Sequence, residues 1–184
     1  LEGNITVSAQ AAAFMARLLG LPDAAALSDL AQTVPDSGGV TFVPALAGLG
    51  APHWNDAARG TIAGMTHATR PAHLARATFE AIAHQIADVL AAMEADIGQW
   101  LLALSADGGA SGNSFLMQLQ ADLIDRPCQP SGVEEIGAMG VAGMALASLG
   151  SSLPPPTPTR RIEPMLANDQ RTLARVHWAA AIAK

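Results

Sequence analysis

Two periods of apolar spacing organise this chain. From Pro71 to Ile97, the residues Leu74, Thr78, Ile82, Ile86, Val89, Met93 and Ile97 recur at steps of three and four. A helix of 3.6 residues per turn brings such positions onto one stripe, so the segment is predicted to be a long helix with one face in a core. Pro71 suits its first turn, and Gly98 its end. Shorter helices are predicted from Ala9 to Leu19, stopped by Gly20, and from Asp23 to Ala31. Another runs from Asn113 to Ile124, with Leu116, Leu119 and Leu123 on one face and Pro127 closing it. Ile136 to Leu149 reads as a helix of small residues, on which Gly137, Gly140 and Gly143 would let another backbone approach closely. The tail from Asn168 to Ile182 is predicted as a last helix, with Leu173, Val176 and Ala180 as its apolar positions.

Between these lie short runs with strand character. "VTFVPAL" ends at Pro44, "TIAGM" follows a long glycine-rich loop, Leu101–Ser105 precedes the Asn113 helix, and "PCQP" allows a short strand at most. Strands alternating with longer helices predict an α/β domain with helices packed on a sheet. "SSLPPPTPT" resists both helix and strand and reads as a connector.

Composition narrows the functional classes. Half of the 184 residues are apolar, 14% are charged and the formal net charge is −6. That is a globular composition. Its acidity argues against nucleic acid and against anionic membranes, but not against a nucleotide, whose phosphates can be held by backbone N–H groups. Cys128 is the single cysteine, in no ligand cluster, and reads as a small buried hydrophobe. "LEGNITV" has no basic leader character, and the longest apolar run, "IGAMGVAGMALASLG", is too short to span a bilayer, so the expected location is cytoplasmic.

The stretch "SADGGASGN", Ser105 to Asn113, sits at a strand-to-helix joint. A glycine turn feeding a helix N-terminus suits an anion or a nucleotide, because the first N–H groups of a helix are unpaired. It suits equally a plain turn, with Asp107 bonding its own backbone and Ser111 or Asn113 as the cap. The residues alone leave both readings open. The dinucleotide fingerprint and the P-loop lysine are both missing. In "GLGAPHWNDAARGTIAG", Trp54 reads as the loop's hydrophobic anchor, with a cleft-lining role as the alternative. His53, His67, His73 and His84 have no metal-ligand spacing. Glu80 is either solvated or a buried, partnered acid, and Glu134 with Glu135 favours the N-terminus of the glycine helix.

Taken together, "FVPALAGLGAPHWNDAARGTIAGMTHATRPAHLARATFEAIAHQIADVLAAME" and "LSADGGASGNSFLMQLQADLIDRP" resemble the C-terminal domain of the FGGY family of carbohydrate kinases, with "GLGAPHW" most like its glycerol kinases. The family's signature falls on Gly60, Ile62, Gly64, Met65, His73, Leu74, Ala77, Thr78, Phe79 and Glu80, with Met65 where an aliphatic residue is usual. The resemblance covers about residues 1 to 150, and 151 to 184 would be connector and last helix of the same domain. It implies an actin-like, ribonuclease H-like ATPase fold, two such domains around a cleft, and transfer of the ATP γ-phosphoryl group with Mg²⁺ to a hydroxyl of a small polyol or sugar. Glycerol is the first expectation. A xylulose or other sugar kinase, or a nucleotide-binding scaffold without catalysis, are the alternatives.

Carried over residue by residue, Gly109 and Asn113 would contact the adenine nucleotide, with Gly108 and Ala110 as adjacent backbone contacts. No catalytic or metal-binding residue of the family falls on this chain: the aspartate base, the sugar-binding residues and the glycine–threonine phosphate loop are expected upstream of it. The family's usual nucleotide-binding glycine and glutamine fall on Ala9 and Ala13. Homo-oligomers are common in the family and are expected only by analogy.

Overall fold

A computed structural model describes residues 2–133, 135–154 and 160–183. The chain runs α1 (Gln10–Leu18), α2 (Ala24–Ala31), β1 (Thr41–Val43), β2 (Thr61–Ala63), α3 (Pro71–Ile97), β3 (Leu104–Ala106), a 3₁₀ turn (Gly109–Gly112), α4 (Ser114–Ile124), β4 (Cys128–Pro130), α5 (Ile136–Ser148) and α6 (Asn168–Ile182).

Local chemistry sets most of these limits. Asp23 caps α2 by accepting from the Ala26 N–H at 2.9 Å. Pro71 occupies the first turn of α3, His73 Nδ1 accepts from the Arg70 N–H at 3.1 Å, and Gly98 ends the helix at φ +62°. Pro44 follows β1 directly.

The axis of the fold is α3. Helices α1, α2, α4 and α6 and strand β1 all pack on it. The stripe predicted for α3 is therefore too narrow. Ala72, Ala75, Ala77, Phe79, Ala81, Ala83 and Ala87 are buried as well, whereas Ile97 is exposed. A helix buried on every face needs small residues where its neighbours come close, and the alanines between the larger side chains supply them.

Two small sheets flank the helices. Strands β1 and β2 pair antiparallel, with Phe42 opposite Ile62. Strands β3 and β4 pair parallel, with Leu104 opposite Cys128, and Cys128 also pairs with Ile162. Strand β3 begins later than predicted, and Trp100 and Leu101 engage a buried ion pair instead. Glu94 Oε1 accepts from Arg126 Nη1 at 2.6 Å and from the Leu101 N–H at 2.7 Å, and the Arg126 guanidinium lies 3.6 Å from the Trp100 ring centre.

Two other expectations fail. Helix α5 has no buried residue, and among the described residues a Cβ added at Gly137 or Gly140 would meet nothing within 4 Å. Its glycines thus admit no neighbouring backbone here. Helix α6 packs by a different face from the predicted one. Leu173 and Val176 are 56% and 58% exposed, while Arg171 and Trp178 are buried. Trp178 closes a second small core with Val43, Ala45, Leu49 and Ala81. Glu134 and the connector residues 155–159 lie outside the described residues. No described helix is long and apolar enough to cross a membrane.

Candidate functional site

Residues 107–113 leave β3 and enter α4 across an open surface. Gly108 sits at φ +79°, ψ 174°, a region that only glycine adopts without strain. The turn's own bonds run from the Ser111 N–H and the Ser111 hydroxyl to the Gly108 carbonyl, at 3.0 and 2.8 Å. The N–H groups of Gly109 and Ala110 precede the first bond inside the turn and have no partner within it.

Gly109 is the informative residue. Its φ is not positive, and an added Cβ would meet no atom within 4 Å. Neither backbone conformation nor the protein's own packing calls for glycine there. A glycine with free space above it is what close approach of a ligand to the backbone requires.

Asn113 caps α4. Its Oδ1 accepts from the Leu116 N–H at 3.1 Å, and its Nδ2 donates to the Ser28 hydroxyl of α2 at 2.9 Å. The capping half of the plain-turn reading is thus present. Its other half is not: Asp107 is exposed and makes no side-chain hydrogen bond among the described residues. Ser28 was invisible to sequence reasoning, since nothing local ties it to a residue so far along the chain. Ala9 opens α1 without a side-chain cap, and Ala13 is exposed on α1, which packs against α2.

The signature residues form a clip. A Cβ on Gly64, at φ +78°, would stand 2.0 Å from the Gly39 carbonyl oxygen, and one on Gly60 would stand 2.9 Å from Leu46 Cδ2. The imidazole of His73 packs against Gly38. Glu80 is the partnered acid of the two alternatives: its Oε1 accepts from Arg76 Nε at 2.8 Å. Burial raises its pKa against the opposing pull of Arg76. The close approaches of Gly64 to Gly39 and of His73 to Gly38 hold the β1–β2 hairpin to the 38–40 loop and that loop to the first turn of α3.

Another hub lies on Asp88. Its carboxylate accepts from Trp178 Nε1 at 2.7 Å, from His53 Nε2 at 3.0 Å and from Arg175 Nη2. It ties α6 and the glycine-rich loop to α3. His53 is therefore the loop's anchor. Trp54, expected to be, is 72% exposed at φ +48°. His84 stacks on Trp178 with ring centres 5.0 Å apart, and its Nδ1 accepts from Arg175. Burial, helped by the Arg175 charge, lowers its pKa to about 3 and keeps it neutral.

A cavity of about 740 Å³ opens between α3, α4, α6 and residues 35–42, lined by Asp36, Arg76, Glu80, Asp122 and Trp178 among others. None of Gly108, Gly109, Ala110 or Asn113 lines it. The turn is thus a surface, distinct from this cavity. Cys128 is buried, and burial pushes its thiol up to about 12, which leaves it protonated and inert. Among the described residues no three His, Cys, Asp or Glu side chains are grouped to hold a metal ion.

Comparison with known proteins agrees with the motifs. The C-terminal domain of the FGGY family of carbohydrate kinases matches residues 1–149. An apulose kinase of Pectobacterium atrosepticum is 42% identical, over 100% of this chain and 38% of that protein. A glycerol kinase of Dechloromonas aromatica is 43% identical, over 99% and 38%. The chain thus spans little more than a third of the length of these relatives. Among solved structures, a glycerol kinase of Plasmodium falciparum with ADP superposes with a TM-score of 0.84 at 26% identity, covering 97% of this chain and 37% of that one. A xylulose kinase of Brucella ovis gives 0.86 at 26%, covering 97% and 38%.

Proposed function

The chain belongs to the FGGY family of carbohydrate kinases, as its C-terminal domain, and from that premise we propose that it is the ATP-binding part of a kinase that phosphorylates glycerol. The nucleotide would lie on the open face of the turn, against the backbone of Gly108, Gly109 and Ala110 and beside Asn113. The observation that supports this reading is the open backbone at Gly109, where φ is not positive and an added Cβ would meet nothing within 4 Å, on a turn whose Gly109 and Ala110 N–H groups have no partner within it. Residues 151–184 belong to the same domain in this reading, because Trp178 of α6 completes a core with β1 and α3.

ATP supplies the phosphoryl group, and Mg²⁺ would come with its phosphates, which suits an ion that prefers phosphate and water ligands. Phosphoryl transfer depends on positioning and on charge stabilisation more than on covalent chemistry by the protein. The part assigned to this chain is to hold the adenine nucleotide, which would rest against the backbone of Gly108–Ala110 and beside Asn113. No catalytic base is assigned to it. The 184-residue chain alone is expected to bind nucleotide without turning over a substrate, because one wall of a cleft cannot exclude water. A sugar acceptor is the second reading, since an apulose kinase is 42% identical where a glycerol kinase is 43%.

Calorimetric titration with ADP tests the site. Gly109→Leu should keep the wild-type melting temperature, since its side chain enters free space. It should weaken ADP binding at least about tenfold, equivalent to about 1.4 kcal/mol. ADP binding as tight as wild type in Gly109→Leu would sink the assignment. A coupled ADP-release assay of the full-length kinase across glycerol and a panel of sugars decides the acceptor.

A further inference from the structure

One face of α4 is polar along its whole length. Ser114, Gln118 and Asp122 are four residues apart and so line up on one stripe. Each of them is taken up by residues 160–171. Arg160 Nη1 donates to the Ser114 hydroxyl at 2.6 Å. Gln118 Nε2 donates to the Glu163 carbonyl at 3.0 Å. Asp122 Oδ1 accepts from the Met165 and Leu166 N–H groups at 2.6 and 3.2 Å. Beyond them, the buried Arg171 donates from Nε to the Asp122 carbonyl at 2.6 Å and pairs through Nη2 with Asp125, the C-cap of α4, at 2.8 Å. Ile162 and Cys128 exchange backbone hydrogen bonds at 2.9 Å in both directions.

The segment is therefore a strap that follows α4 from its first residue to its C-cap. It is held by polar contacts at defined positions, and its Met165 side chain is left exposed. The end of the strap at Arg160 bonds the residue that directly follows Asn113. The turn before it is open to solvent at Asp107, Gly108, Gly109 and Gly112, and its other ties are the Ser111 bonds to the Gly108 carbonyl, the Asn113 N–H bond to the Ala110 carbonyl at 3.1 Å and the Asn113 bonds to Ser28 and Leu116. Helix ends fray unless they are tied.

We propose that this strap is a positioning device for the Gly108–Asn113 turn, in which Arg160 acts through Ser114 and Asp122 holds the strap in register. A turn ordered in advance costs less to fix when a ligand binds. The link to ligand binding rests on the nucleotide reading of the turn; the ordering of the turn does not.

Hydrogen exchange on the full chain without nucleotide reads the ordering. In Arg160→Ala and in Ser114→Ala, the amides of residues 109–116 should exchange several-fold faster, while those in the middle of α3 stay unchanged. Arg160→Lys, which keeps a donor, should restore part of the protection. Unchanged exchange at residues 109–116 in both alanine variants overturns the proposal. In the calorimetric titration, Arg160→Ala should weaken ADP binding by roughly 3- to 10-fold. Unchanged ADP affinity in Arg160→Ala, where Gly109→Leu does weaken it, overturns the positioning role. If Gly109→Leu also leaves ADP affinity unchanged, the nucleotide site fails, and the exchange result then decides the strap by itself.

Discussion

Asn113 and Ser28, 85 residues apart in the chain, meet at 2.9 Å through Nδ2 and Oγ, and this bond fixes the α4 N-terminus to α2. The same amide accepts from the Leu116 N–H with its oxygen. A residue carried over as a nucleotide contact is thus also the cap of the helix behind it. Substituting it disturbs both roles, which is why Gly109 is the cleaner probe of binding.

The cap itself is open to measurement. Asn113→Ala should lose about 1 kcal/mol of stability from the missing cap, with more for the Ser28 hydroxyl left without its donor. Asn113→Asp keeps an acceptor for the Leu116 N–H and should retain most of the stability. Urea unfolding of the two variants compares them directly; equal losses would mean that the cap contributes little.

Gly64 and Gly112 should separate structural glycines from free ones. A Cβ at Gly64 would collide with the Gly39 carbonyl at 2.0 Å in a left-handed backbone, so Gly64→Ala should cost about 2 kcal/mol or more. Gly112→Ala meets nothing within 4 Å and should stay within about 0.5 kcal/mol of wild type. Thermal melts of both variants check the contrast, and a tolerated Gly64→Ala would refute the clip.

His84 should make stability fall in mild acid. Its folded pKa, about 3, lies below the unfolded value of 6.5, so the unfolded chain binds the proton first. The contribution is complete above pH 6.5 and drains away as the pH falls toward 3. At pH 5 the loss from this one residue should be about 2 kcal/mol relative to pH 8. Glu80 acts in the opposite sense, because its raised pKa favours the folded state at low pH and that favour is lost as the pH rises. Urea unfolding at pH 5 and pH 8 should show the acid loss in wild type and a smaller one in His84→Phe; equal slopes would exclude His84 as the source.

Much of the chain was legible before folding was considered. The limits of α2 and α3 follow from local rules at Asp23, Pro71 and Gly98. The glycines at 60 and 64, the acid at 80, and the Gly109–Asn113 spacing were enough to identify the family. What the period could not tell was which face of a helix finds a partner. On α6 the apolar Leu173 and Val176 stay in solvent, because Asp88 on α3 offers a carboxylate that Arg175 and Trp178 can fill together. On α5, Gly137 and Gly140 find no neighbour among the described residues, and an added Cβ on Gly143 would meet only the Leu153 side chain, at 3.9 Å. Trp54 has the right chemistry for an anchor, yet His53 takes that part because Asp88 stands within its reach.

The sequence by itself determined the order of the elements, most of their ends and the glycine turn at the α4 entrance, because caps, breakers and period act over a few residues. Only the tertiary structure decided the Ser28–Asn113 bond, the Asp88 hub, the strap along α4 and the open space above Gly109. Those depend on groups far apart in the chain, and their meeting is set by how the helices crowd around α3, a packing outcome that no local rule encodes.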